Sequence, residues 1–183
     1  MSIFITSDWH FCHNKEFLYV PRGFNNEYDM NNAIINNHNS IITQDDNIYC
    51  LGDVMLSNSE IGLECLKQLN GKIHIIIGNH DTDNKIEMYK TCPNVVEVCA
   101  AARLRYKSYH FFLSHYPCLC GNYDDGKYLK QHMINLCGHT HAKDPFYDWD
   151  KGIIFHCEMD TNNCYPWLLD NIIEKLKEKY NSI

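Results

Sequence analysis

The stretch Ser2-Ile3-Phe4-Ile5-Thr6-Ser7-Asp8-Trp9-His10 decides the fold. It reads as a strand-length apolar, β-branched run that ends in an acid and an imidazole two residues apart. The same grammar recurs down the chain. Strands are expected over 2–7, 47–51, 72–77, 95–103, 109–114 and 135–137. Gly52-Asp53 follows the second of these, Gly78-Asn79-His80-Asp81 the third, His115 the fifth and Gly138-His139-Thr140-His141 the last. Amphipathic segments at 27–42, 57–69 and 169–180 read as helices, the middle one opening on a Ser57/Glu60 capping box and stopping at Asn70-Gly71. Gly121-Asn122 is the other clear turn signal. Strands alternating with helices give an α/β domain whose helices cover sheet faces, with no linker or repeat, so residues 1–183 are expected to form a single domain.

Ligand-type side chains therefore leave five separate strands at their carboxyl ends, the edge where open α/β sheets bind ligands. Taken singly, each piece is weak: a Gly-Asp after a strand is usually a turn, and a lone His-x-His is usually a loop. Their convergence in one order is what points to a metal centre. Imidazole and carboxylate oxygen together suit manganese, iron or zinc, and seven donors exceed what one ion takes. The expected division is Asp8, His10 and His141 on one cation and Asn79, His115 and His139 on the other, with Asp53 bridging at about 3.5–4 Å separation. A water shared by two cations would be the nucleophile. His80 completes neither set and is expected to protonate the leaving group or stabilise the phosphoryl charge. Asp81 either orients an imidazole or caps the helix after it.

Composition narrows the classes further. A formal charge of −7, from 23 acidic and 16 basic residues without runs of either sign, offers no basic stripe for stable duplex nucleic-acid binding. No apolar run nears the roughly 20 residues of a membrane span, and no export signal is read, so a cytoplasmic protein without membrane partners is expected. The ten cysteines then read as reduced thiols. Cys118, Cys120 and Cys137 lack zinc-site spacing. Histidines 38, 74, 110, 132 and 156 have no motif context and default to packing or surface roles. Tyr116, Tyr123 and Tyr128 line a substrate entrance or simply pack a loop.

Asp8-Trp9-His10, Gly52-Asp53, Gly78-Asn79-His80-Asp81, His115 and Gly138-His139-Thr140-His141 resemble, in order and spacing, the calcineurin-like metallophosphoesterases. The likeness is greatest to small bacterial and phage-type members, through His10-Phe11-Cys12-His13-Asn14, the Arg-Gly-Phe stretch at Arg22 and the Met-Asp-x-Asn of Met159 to Asn162. The resemblance implies a four-layer αββα sandwich of two mixed β-sheets flanked by helices. It also implies a dinuclear centre, taken here as two divalent ions with Mn²⁺ first and Fe, Zn, Ni or Mg as alternatives. The implied reaction is hydrolysis of small or flexible phosphodiesters or phosphomonoesters by metal-bound hydroxide, and a homodimer is an expectation from the family alone. A nuclease on the same scaffold and a catalytically silent binding scaffold are the alternatives. One departure stands out: Asp53 is followed by Val54, Met55 and Leu56 instead of the Asp and Arg of the phosphoprotein phosphatases. A substrate-binding clamp must then come from elsewhere, and Arg22 and His13 are the candidates.

Overall fold

The computed structural model describes residues 1–120 and 128–182. The chain opens on β1 (Ile3–Thr6), the short helix α1 (Glu16–Tyr19), α2 (Glu27–Ile41), β2 (Asn47–Cys50), α3 (Ser59–Lys67), β3 (Lys72–Ile76), α4 (Asp83–Lys90) and β4 (Val95–Cys99). There follow β5 (Ala102–Tyr106), β6 (Tyr109–Leu113), β7 (Met133–Cys137), β8 (Ile154–His156), β9 (Trp167–Leu168) and α5 (Leu169–Asn181). One sheet has the order β4-β3-β2-β1-β9, parallel except for β9, and the other the order β5-β6-β7-β8, parallel except for the β5–β6 hairpin. The result is an α/β architecture of two mixed sheets flanked by helices.

Period-two alternation sorts the strand side chains between two cores. Phe4, Ile48, Ile73 and Ile75 face Met30 and Ile34 of α2, Leu66 of α3 and Tyr89 of α4. Their neighbours Ile5, Leu51 and Ile76 face the opposite way, meeting Phe111, Leu113, Ile134, Leu136 and Phe155 of the second sheet and Ile172, Ile173 and Leu176 of α5. Parallel pairing then aligns the strand ends. Thr6 is opposite Cys50 and Cys50 opposite Ile75, so three exits lie in one row. Leu113 is opposite Leu136 in the second sheet, which brings two more exits together.

Several expected boundaries change. The run expected over 95–103 breaks at Ala100 and Ala101 into β4 and β5, which belong to different sheets, because the chain crosses between them there. The helix expected from Ser57 begins at Ser59, and its cap is Asn58, whose side chain accepts the Ile61 N–H at 3.1 Å. Strands β8 and β9, of three and two residues, are too short to carry a period. Gly121-Asn122 and Tyr123 lie outside the described residues. All ten cysteines are free thiols. No helix among the described residues is long and apolar enough to cross a membrane.

Helix α2 is tied to the turn before β3 by His38, a fully buried ring whose Nε2–H donates to the Asn70 carbonyl at 2.9 Å. Burial pulls this imidazole down to about 4, against the opposing pull of that carbonyl. A histidine held neutral in the fold but free to charge when unfolded contributes stability that is complete above the ordinary value near 6.5. That stability drains as pH falls toward the folded value, by on the order of 3 kcal/mol. His38→Gln keeps an N–H donor without the titration. Urea unfolding at about pH 7 and about pH 4.5 should therefore show a smaller acid loss in the variant than in the parent, and equal losses would refute the assignment.

Candidate metal centre

The exits of β1, β2 and β7 turn through a backbone conformation that side chains normally avoid. Asp8 (φ 58), His10 (φ 51), Asp53 (φ 55), His139 (φ 79) and His141 (φ 52) are all left-handed. Hydrogen bonds beyond the strands hold them there: Asp8 N–H to Gly52 O and His10 N–H to Asp53 O, both at 3.0 Å, and Gly138 N–H to His115 O at 2.9 Å. Gly52 (φ 99) is required at its position, since a Cβ there would lie 2.6 Å from the Gly78 nitrogen and 2.8 Å from the His115 ring. A Cβ at Gly138 would run into Ser7 Oγ and Asp8 Oδ2. The two sheets are joined at this edge by His139 N–H donating to Asp8 Oδ2 at 2.9 Å and His115 Nδ1–H donating to Leu51 O at 2.8 Å.

All seven expected ligands come together. One donor atom from each of Asp8, His10 and His141 falls within 4.8 Å of the others, as does one from each of Asp8, Asp53 and His115. Asn79 Oδ1 stands 2.8 Å from both His115 Nε2 and His139 Nδ1. Asp53 Oδ2 lies 3.7 Å from His10 Nε2 and 3.6 Å from His115 Nε2. Asp8, His10, Asp53 and His115 are buried, while Asn79 and His139 form the open side.

The donor chemistry of this cluster fits cations. His115 donates its Nδ1 hydrogen to Leu51 O and turns Nε2 toward the Asn79 oxygen. His141 Nδ1 faces Asp160 Oδ2 at 3.0 Å, leaving Nε2 to face His10 Nε2 at 3.1 Å. Asp8 Oδ1 is buried without a hydrogen-bond partner among the described residues, 3.4 Å from His10 Nε2 and 3.7 Å from His141 Nε2. Acceptors crowded against acceptors are stable only around positive charge. Burial works to raise the Asp8 carboxyl, yet His10 and His141 hold it well below the usual range, and burial keeps His10 low, so both offer lone pairs. His141 is shifted upward, because Asp160 and Asp8 outweigh burial.

Other expected residues stand differently. Arg22 is not free to clamp a phosphate. Its side chain is 1% exposed, and it grips Asp160 through Nε at 3.1 Å and Nη2 at 2.7 Å, with further bonds to the Asp8 and Trp9 carbonyls. Asp160 is pulled down to about 2, burial being overcome by His141 and Arg22, and so the Arg22–Asp160 pair orients the His141 ring. Only the Met159-to-Asn162 motif hinted at Asp160. Among the described residues no hydrogen bond or ion pair joins Asp81 to an imidazole, and Thr82 takes the cap position of α4. Its carboxylate instead accepts the N–H groups of Gly78 and Asp53 at 2.8 Å and Val54 at 3.2 Å, and the Tyr89 hydroxyl at 2.7 Å. His13 packs its buried ring 5.3 Å from His10, with Phe17 edge-on at 5.4 Å, and burial lowers its pKa to about 4. His80 lies at the open side, 46% exposed, with Nε2 4.0 Å from Asp53 Oδ2. Its N–H donates to Asp53 Oδ1 at 2.8 Å and its carbonyl accepts from Lys85, a residue that no motif marked. Tyr116 sets its ring edge-on to His139 at 4.7 Å and is half exposed, while Tyr128 stands in solvent.

A family model described as the calcineurin-like phosphoesterase superfamily domain matches residues 1–156. The uncharacterised protein MJ1445 of Methanocaldococcus jannaschii is 32% identical over 97% of this chain and 92% of its own length. A protein of unknown function from Aquifex aeolicus, AQ665, shares the fold with a TM-score of 0.74 at 21% identity, over 94% of this chain and 98% of that one. An archaeal phosphodiesterase superposes with a TM-score of 0.46 at 19% identity, over 88% of this chain and 87% of its own.

Asp81→Asn retains shape but turns an amide toward backbone donors. It should cost about 2–4 kcal/mol in urea unfolding at neutral pH, from buried groups left unpaired. A loss under about half a kcal/mol would mean that Asp81 does not join the exits.

Proposed function

The chain belongs to the calcineurin-like phosphoesterase superfamily, and from that premise we propose that it hydrolyses small or flexible phosphodiesters or phosphomonoesters at a two-metal centre. The observation that carries this reading is the convergence of carboxylate and imidazole donor atoms on either side of Asp53. Asp8, His10 and His141 would hold one cation and Asn79, His115 and His139 the other, with the Asp53 carboxylate lying between the two sets. Two divalent ions, Mn²⁺ first and Fe, Zn, Ni or Mg as alternatives, would supply Lewis-acid polarisation of the phosphoryl group and an acidified water.

The remaining steps fall to the protein's own side chains. Asp53 Oδ1 is committed to the His80 N–H, which leaves Oδ2 alone to face the donors. The His80 backbone is fastened at both its N–H and its carbonyl, so only the exposed ring swings toward substrate. From there it delivers a proton to the leaving-group oxygen, which departs as an alcohol. Arg22, locked to Asp160, acts by holding His141 and not by touching phosphate. His13 stays the substrate contact to test, through a ring hydrogen on a phosphoryl oxygen.

The test is a metal-by-substrate matrix on metal-stripped protein, with nitrophenyl mono- and diesters and an alkyl ester of poor leaving ability. Mn²⁺ should restore hydrolysis and a chelator abolish it. His80→Ala should cut kcat by about 10²–10⁴-fold on the alkyl ester and far less on nitrophenyl esters, whose leaving group departs without a proton. Full activity of His80→Ala on the alkyl ester would remove its role as acid. A folded, metal-loaded parent no more active than the variant would favour the silent scaffold, and preference for nucleic acid over small esters would favour the nuclease.

A further inference from the structure

The turn that carries His139 and His141 is held from behind by groups that the proposed chemistry does not use. Thr140, between them, donates its N–H to Glu158 Oε1 at 3.1 Å and its hydroxyl to the same oxygen at 2.9 Å. Glu158 is fully buried just past β8 and pairs in a parallel bridge with Ser7, the neighbour of Asp8. Its Oε2 has no hydrogen-bond partner among the described residues. Beside it lies His156, also fully buried, with Nδ1 3.0 Å from Glu158 Oε1 and Nε2 3.1 Å from Asp148 Oδ2. An ionised carboxylate only accepts, so a ring held between two of them must carry hydrogen on both nitrogens.

Asp148 has a second cation, Lys151 at 2.6 Å, whereas His156 is the one ion-pair partner of Glu158 among the described residues. A carboxylate this deep would neutralise itself without a counter-charge, and its hydrogen bonds would lose their charge-assisted strength. We propose that His156 is a resident imidazolium that keeps Glu158 ionised, and that Glu158, through Thr140, positions His139 and His141 for the metal centre. Both are positioning residues, and the inference rests on reading His139 and His141 as ligands. Among the described residues the other groups facing the His156 ring are Thr140 Oγ1 at 3.1 Å, Cys137 Sγ at 3.7 Å and the edge-on Tyr147 ring at 6.0 Å, none of them a fixed cation. Burial works to lower the imidazole, and Glu158 and Asp148 outweigh it, so the net direction is upward. The default reading of His156 as an ordinary packed histidine gives way here: with carboxylates at both nitrogens it is a charge, and motif context had no means of marking it.

The test uses the full chain with three variants: Glu158→Gln, His156→Gln and the two combined. Nitrogen-detected NMR of the metal-free parent near neutral pH should find both His156 ring N–H groups with imidazolium shifts. Glu158→Gln, folded by circular dichroism, should bind Mn²⁺ about tenfold or more weakly, the usual cost of losing a group behind a ligand. His156→Gln alone leaves Glu158 without its counter-charge and should lower the urea midpoint, and the double variant should recover part of that loss. A neutral His156 ring in the parent would overturn the proposal, as would wild-type Mn²⁺ affinity in folded Glu158→Gln. A parent that binds no Mn²⁺ would instead sink the ligand reading beneath it, and the NMR result separates the two failures.

Discussion

Asp81 gathers the N–H groups of Gly78, Asp53 and Val54 and the Tyr89 hydroxyl onto one buried carboxylate, and the rest of the centre is built over that joint. The exits of β2 and β3 approach so closely that Gly52 and Gly78 leave no space for a Cβ between them. Backbone donors stranded there would each be a buried, unpaired group, costing about 1–3 kcal/mol apiece. With Asp81 in place they are satisfied, and Asp53 is fixed with its other carboxylate oxygen pointing into the cluster. Arg22 and Asp160 do the same for the β1 exit and His141, and Leu51 O for His115. Left-handed residues at the exits are therefore not loose turns. Each costs about 1–3 kcal/mol of backbone strain, and the hydrogen bonds beneath them over-determine the conformation.

Much of this was legible in the residues because strand exits carry a local signal. An apolar run followed by Gly and an acid or imidazole is visible wherever it occurs, and parallel strands bring such exits to one edge by necessity. The positions of the seven candidate donors, helices α2 and α3, and α5 follow from that signal and from helical periodicity. What stayed hidden depends on partners far apart in the chain. Arg22 looks like a free cation until Asp160, distant in sequence, is folded against it, and Asp81 looks like a helix cap until Asp53 and Tyr89 arrive. Short strands such as Trp167–Leu168 have no period to read, and the break at Ala100-Ala101 leaves the β-branched pattern on either side unchanged.

Charge explains why an acidic protein suits an anionic substrate on the two-metal reading. Under the exits lie Asp8, Asp53, Asp81 and Asp160, all carboxylates, and the one arginine among them is consumed by Asp160. The chain alone presents a cleft that repels phosphate. Two divalent ions would reverse the sign locally, and because Asp8, His10, Asp53 and His115 are buried the reversal would be only partly screened by salt. On that reading the net charge of −7 would disfavour substrates that bind over a wide surface, such as a duplex backbone, more than small esters whose whole charge fits at the centre. The same reasoning accounts for the residues behind the centre. With acids already crowded at the front, a further buried acid at Glu158 is tolerable only because His156 lies between it and Asp148, keeping the negative charge that steadies Thr140 from adding to the repulsion.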